Sequence, residues 1–237
     1  MLLAPSANAP TDVLRWSEGH YINVTSATLP KTIPIFPLPN VVLFPNVFMP
    51  LHIFEPRYCE MIRDTISKDR IIGMVLLKEG WNLHANPNPP IYTVGCAGII
   101  THIESVDDER YNIVLRGFER FRITQEDQTR TYRLADVDML PEKISKEDRT
   151  QLDRDKQKIK RLLDQHQSGK NPEAKIPLDM PTEDLVNTLS QYLEFDPLEK
   201  QALLERLGPS DRCKALVDLL EMRLLMSSQA TPPSRIQ

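Results

Sequence analysis

Seven prolines, Pro30, Pro34, Pro37, Pro39, Pro45, Pro50 and Pro56, stand within one short stretch of this chain. Each fixes φ and removes a backbone donor, so neither a long helix nor a regularly bonded central strand is expected to run through them. Yet the residues between them are apolar, reading IPIFPLPNVVLFPNVFMPLHIF from Ile33 to Phe54. A segment that must be buried but cannot be regular is expected to form short extended pieces, lying at sheet edges or crossing over a core. Pro56 then opens a helix. Proline suits the first helical position, and Tyr58, Met61, Ile62 and Ile66 follow at helical spacing as far as Ser67.

The next run, IIGMVLL at 71–77, is continuously apolar and of strand length, which predicts a central strand buried on both faces. A polar loop, GWNLHANPNPP, separates it from an extended pattern between Ile91 and Ile103. Asp107 and Asp108 read as a turn, followed by YNIVLRG, which is expected to end at Gly117, where a positive φ costs little. FERFRI and YRLADVDML read as two further strands, the latter half-solvated because Val137 and Met139 alternate with Asp136 and Asp138.

From Ser145 the period changes to 3.6. A charge-dense helix is expected with Leu152, Ile159, Leu162 and Leu163 on its apolar face, and with Asp153/Lys156 and Asp155/Lys158 as local pairs. After a linker over 168–181 come three short helices. Leu185, Val186, Leu189, Tyr192 and Leu193 mark the first, while Asp196, Pro197 and Glu199 give the second a cap, a first-turn proline and a capping-box acid. Gly208 and Pro209 stop it, and Ser210 is placed to cap the third, striped by Cys213, Leu216, Val217, Leu220 and Leu224. The organisation read from this pattern is an extension over 1–30, a β region over 31–141, a helical region over 142–226 and a flexible polar tail over 227–237.

With 237 residues, 41% of them hydrophobic and 26% charged, the chain suits a globular fold. A net charge of -4 gives no general attraction to phosphate backbones or anionic lipid. Cys59, Cys96 and Cys213 are odd in number and widely spaced, which argues against a disulfide framework or a zinc site and for a reducing cytoplasm. His20, His52, His84, His102 and His166 show no ligand spacing, so neither metal nor cofactor is expected. No apolar run approaches the roughly 20 residues that span a bilayer.

Several landmarks recur in order: Pro34 to Leu38, Val42 to Pro45, the helix entry from Pro50 to Tyr58, the strand Ile71 to Leu77, Tyr92 to Gly95, and Gly117 to Ile123. In this order they resemble the N-terminal domain of Lon proteases, and FDPLEKQALLERLGPSDRCKALVDLLE is similar to that domain's helical end. The resemblance covers about residues 31–226. It implies an α+β fold, a PUA-like β pseudo-barrel with one short inserted helix followed by a C-terminal helical region, and a role in engaging polypeptide. The family's ATPase and Ser-Lys peptidase are not expected here: the one Gly-Lys pair, Gly169 and Lys170, is followed by Asn171, so no phosphate-binding loop forms. The expected function is thus non-catalytic binding of unfolded polypeptide or of a specific protein partner.

Within that reading, Trp81 in its polar loop, with Asn82, Leu83 and His84, is the candidate anchor for a partner's apolar side chain. Two alternatives stand beside it. Arg116, Arg120, Arg122, Arg130 and Arg133 interleave with Phe118, Phe121 and Tyr132, a composition suited to single-stranded RNA, although strand alternation splits the arginines between faces and Glu119, Glu126, Asp127 and Asp136 sit among them. The other alternative is an accessory component of a protease complex. Glu55 and Arg57, flanking the helix start, are read as a local structural pair.

Overall fold

A computed structural model describes residues 29–80, 88–107, 110–167 and 179–229. In chain order the strands and first helix are β1 (Thr32–Leu38), β2 (Phe48–Ile53), α1 (Pro56–Ile66), β3 (Ile71–Leu76), β4 (Val94–Asp107), β5 (Arg110–Asp127) and β6 (Leu134–Met139). Helices α2 (Lys146–Gln167), α3 (Thr182–Tyr192), α4 (Pro197–Leu204) and α5 (Pro209–Gln229) complete the α+β architecture. The strands form one mixed sheet in the order β2-β5-β4-β3-β1-β6, with a further pairing of β5 to β6. Pairings therefore lead from β1 through β3, β4, β5 and β6 back to β1. β2 stands outside that circuit, on Tyr111 to Arg116 of β5.

β3 is buried along its whole length between β1 and β4, as its unbroken apolar run predicts. Strand alternation then feeds two cores. Ile71 and Val75 join Ile33, Ile35, Phe121 and Val137 inside the curled sheet, while Ile72, Met74 and Leu76 face α1 and the helical region.

The proline-rich strand differs from expectation. β1 is not at a sheet edge, since β3 and β6 both pair with it, but they do so over different halves. β6 pairs with Thr32 to Pro34, and β3 with Ile35 to Leu38. The amide of Ile35 donates to the Arg133 carbonyl beside β6 at 3.0 Å. Alternation turns the nitrogen of Pro37 to the same side, beyond the last β6 pair, and that of Pro34 to the β3 side, before the first pair. Each proline thus lies where no ladder bond is needed.

A second difference concerns Gly117. No strand ends there: β5 runs straight through it, and the residue pairs with Gly98 beside a register shift in the β4–β5 ladder. Gly80 is the described glycine with positive φ. What requires glycine at 117 is close approach, because a Cβ would lie 1.9 Å from the carbonyl oxygen of Phe44. The crossing segment is tied at this point by Asn46 N–H to Gly117 O at 2.9 Å and Gly117 N–H to Val47 O at 2.8 Å.

The helical region shares the outer core. Leu152, Ile159, Leu185, Leu189, Leu216 and Leu220 belong to the same cluster as Phe44, Met61, Ile72 and Leu115. Polar seams reinforce it: the Gln191 side chain accepts from Phe44 N–H at 3.0 Å, and the Asn187 amide donates to Pro45 O at 3.1 Å. On α2 the lysines expected to pair locally reach other segments instead. Lys156 donates to Met180 O at 2.7 Å and Lys158 pairs with Glu221 on α5 at 2.8 Å. Glu199 accepts from Asp196 N–H at 2.8 Å, which gives α4 its predicted start. Ser210 does not precede α5 but lies inside its first turn, since Arg212 N–H already bonds Gly208 O at 3.0 Å. The helix continues to Gln229, past the expected start of the tail. No helix among the described residues is long and apolar enough to cross a membrane.

Candidate functional site

The four residues singled out from sequence, Trp81, Asn82, Leu83 and His84, lie outside the described residues. The stems of their loop are described and held. Lys78 N–H bonds Pro90 O at 2.9 Å, Tyr92 N–H bonds Leu76 O at 2.9 Å, and Leu77 bridges to Ile91. Asn88, where the description resumes, donates to the Gln128 side chain at 2.7 Å. Arg133 donates to the neighbouring Pro89 carbonyl at 2.9 Å. The stem and the β5–β6 connection therefore stand side by side.

Between them opens a cleft of about 240 Å³. Its floor is the end of β1, Pro37 to Pro39, with Leu77 and Pro89; its walls are Glu55, Arg57 and Tyr58 at the start of α1 and Gln128 with Arg130 to Arg133 opposite. Proline brings α1 to this place: Pro56 is its first residue, and the Glu55 carbonyl accepts from Tyr58 and Cys59 at 2.9 and 3.0 Å. The Glu55 and Arg57 pair read from sequence forms, with Nε donating to Oε2 at 3.0 Å, and it lines the cleft. On the facing wall, Arg130 and the Tyr132 hydroxyl both donate to Asp64 Oδ2 on α1 at 2.7 Å. Each arginine lies over a ring, Arg57 at 4.5 Å from the Tyr58 centroid and Arg130 at 5.8 Å from that of Tyr132. Burial pushes both phenols above their ordinary pKa, and the bond to Asp64 raises Tyr132 further, so both remain protonated at neutral pH.

Three arginines and one glutamate line this space over an apolar floor. Arg133 is the most enclosed, its side chain 9% exposed and its Glu126 contact a long 3.4 Å. Beside the Tyr132 hydroxyl on Asp64, the Thr131 hydroxyl donates to Glu60 Oε2 at 2.8 Å. Among the described residues no group of His, Cys, Asp and Glu side chains is arranged to hold a metal.

The family described as the ATP-dependent protease La (LON) substrate-binding domain matches residues 32–222. This chain belongs to that family. The Lon protease of Cytophaga hutchinsonii is 27% identical over 209 residues, 83% of this chain and 25% of that protein. Lon protease 2 of Myxococcus xanthus is 28% identical over 147 residues, 60% of this chain and 16% of that protein. The chain thus spans a quarter or less of the length of these relatives. Two solved LON domains share the fold. The N-terminal domain of a Mycobacterium avium complex Lon protease superposes with a TM-score of 0.62 at 15% identity, covering 81% of this chain and 98% of that one. A Lon N-terminal domain protein from Xanthomonas campestris gives 0.56 at 21%, covering 79% and 97%.

Within this LON domain the five arginines of the RNA reading do not form one surface. Arg120 is buried, donating to the carbonyls of Leu204, Arg206 and Leu207 just where α4 ends. Arg133 is committed to Pro89, Arg116 donates to Asn46 at 3.2 Å, and Phe121 and Tyr132 are buried. What sequence alone missed is the meeting of Arg130 and Tyr132 with α1. Their partner Asp64 lies on another element, and nothing in the local pattern points to it.

Proposed function

We propose that this LON domain recognises polypeptide without cutting it, holding unfolded segments or a specific partner subunit. The observation that carries this reading is the match to the substrate-binding domain family over residues 32–222. The cleft supports it, since an apolar floor ringed by a few convergent polar groups binds and orients a chain segment. The loop with Trp81, Asn82, Leu83 and His84 follows Leu77 and precedes Asn88, both of which line the cleft, and supplies the aromatic anchor in this reading. A cytoplasmic setting, alone or as an accessory of a protease complex, accompanies it, in keeping with three free cysteines, all buried.

The test is direct. The purified chain should retain a fluorescent, permanently unfolded client in an anisotropy titration while neither hydrolysing ATP nor releasing peptides from casein. ATP-stimulated peptide release that co-purifies with the chain through successive columns would overturn the non-catalytic reading. A steep salt-dependent shift of labelled RNA, with no client bound, would replace polypeptide by nucleic acid.

A further inference from the structure

We propose that the cleft between α1 and the β5–β6 connection takes the C-terminal residue of a polypeptide, its α-carboxylate between Arg57 and Arg130 and its apolar side chain on the floor. The inference rests on the polypeptide-binding reading and narrows it to one class of ligand.

Size argues first. About 240 Å³ is smaller than the roughly 300–1,000 Å³ of sites that enclose drug-sized ligands, which suits the end of a chain better than a long enclosed segment. Charge argues second. The lining carries three arginines against the single carboxylate of Glu55. Planar guanidinium groups match a carboxylate in a two-bond fork. Arg57 and Arg130 already have partners, Glu55 and Asp64, but these pairs are open to water: the four side chains are 32%, 28%, 45% and 37% exposed. Ion pairs so exposed hold weakly, so each arginine is able to turn toward an incoming anion. Behind them Arg133, enclosed, pairs with Glu126 at 3.4 Å and adds a third guanidinium to the lining. The two tyrosines hold the arginines over the cleft through their rings.

The floor selects the source of the carboxylate. Pro37, Leu38, Leu77 and Pro89 are buried apolar surface in the same small space as the arginines. A ligand that satisfies both carries an apolar side chain and a carboxylate on one carbon, as a chain-terminal Leu or Phe does. An internal Asp or Glu separates its carboxylate from the next apolar side chain by backbone, so it matches the arginines and the floor less closely than a chain end does.

The experiment compares three labelled Gly/Ser-rich peptides on the intact chain: one ending in Leu with a free carboxylate, the same peptide amidated, and an amidated one carrying an internal Glu before Leu. An unfolded client is titrated in parallel. The free acid should bind about tenfold tighter than either amide, as expected for charge-assisted hydrogen bonds. In Arg57→Gln/Arg130→Gln that ratio should fall to about one, with melting recorded to confirm folding. Should the variant not fold, the acid-to-amide ratio of the unaltered chain still decides. Equal affinities for acid and amide, with the client still bound, overturn the carboxylate site and leave the polypeptide reading standing. Equal affinity for the internal Glu peptide also overturns it, and loss of every peptide together with the client overturns both.

Discussion

Arg120 of β5, 3% exposed, brings its Nε within 2.6 Å of the Glu142 carboxylate, an ion pair without the alignment of a hydrogen bond. The same carboxylate binds Arg212 of α5, fully buried, which also donates to Asn187 Oδ1 at 2.6 Å and Leu203 O at 3.1 Å. One acid on the connection between β6 and α2 thus fastens an arginine from the sheet to one from the last helix. Burial, and then the neighbouring Arg212 charge, lower the Arg120 pKa. Removing one partner from a buried ionic cluster leaves uncompensated charge and typically costs about 3–5 kcal/mol. Glu142→Ala should therefore shift the urea midpoint far down, whereas a loss under about 1 kcal/mol would show that the carboxylate is dispensable.

The same joint bears on whether the helical region can be removed. Its leucines complete a core that begins on the sheet, and Arg120 closes the end of α4 through three carbonyls. We propose that residues 31–141 and 142–226 are not independent folding units. A chain cut after Pro141 should bind a hydrophobic dye and melt without cooperativity. If residues 31–141 alone melt as sharply as the whole protein, the shared core is not needed for folding.

Gly117 offers a sharper test of the crossing segment. Adding a methyl group places Cβ against the Phe44 carbonyl oxygen, and backbone on both sides must move. Gly117→Ala should cost at least about 2 kcal/mol by overpacking. Gly208→Ala, with nothing within 4 Å of the added carbon, serves as the control and should unfold almost as the parent does. Similar midpoints for both variants would mean that the Val41–Val47 crossing is loosely seated.

How much of this was legible in the sequence depends on whether the cause is local. β3 shows because burial on both faces leaves an unbroken apolar run, and α4 because Asp196, Pro197 and Glu199 act within one turn. The proline-rich segment suggests sheet edges or crossings over a core, and β1 is neither because two partners that divide the strand accommodate its prolines, a fact of distant pairing. Gly117 was misread for a similar reason: its constraint is Phe44, far back in the chain. At the site, Glu55 and Arg57 were readable as near neighbours, whereas Arg130 and Tyr132 acquire their meaning only when the fold carries α1 to them.

Buried thiols contribute to the alkaline response. Burial, and then the Asp155 charge, push Cys213 up to about 12 from 9.0 against Lys214, and burial pushes Cys96 higher still against the backbone hydrogen bond at Phe118 and the Arg212 charge. In the unfolded chain both thiols ionise near the ordinary value, so the unfolded state holds fewer protons in between. Stability is then fully present below about pH 9 and is lost as pH rises toward 12, on the order of 1 kcal/mol per pH unit for each thiol. Alkaline urea titrations should show this decline, and Cys213→Ala should make it shallower. An undiminished slope in that variant would assign the decline to other groups.

The last prediction concerns Trp81. Its loop leaves the sheet after Leu77 and returns through Asn88 and Pro89, residues that themselves line the cleft. We propose that Trp81 supplies the aromatic anchor for a bound chain. Truncation of such an anchor typically costs at least about 2 kcal/mol of binding, roughly thirtyfold in affinity. Trp81→Ala should weaken the unfolded client by about that factor and leave melting unchanged. The opposite pattern, intact affinity with stability reduced by about 3 kcal/mol or more, marks a tryptophan that packs on its own domain. The two outcomes differ in which measurement moves, so titration and melting on one preparation separate them. If the acid-to-amide ratio also survives in Trp81→Ala while both affinities fall together, the loop contributes apolar cover and the arginines alone read the carboxylate.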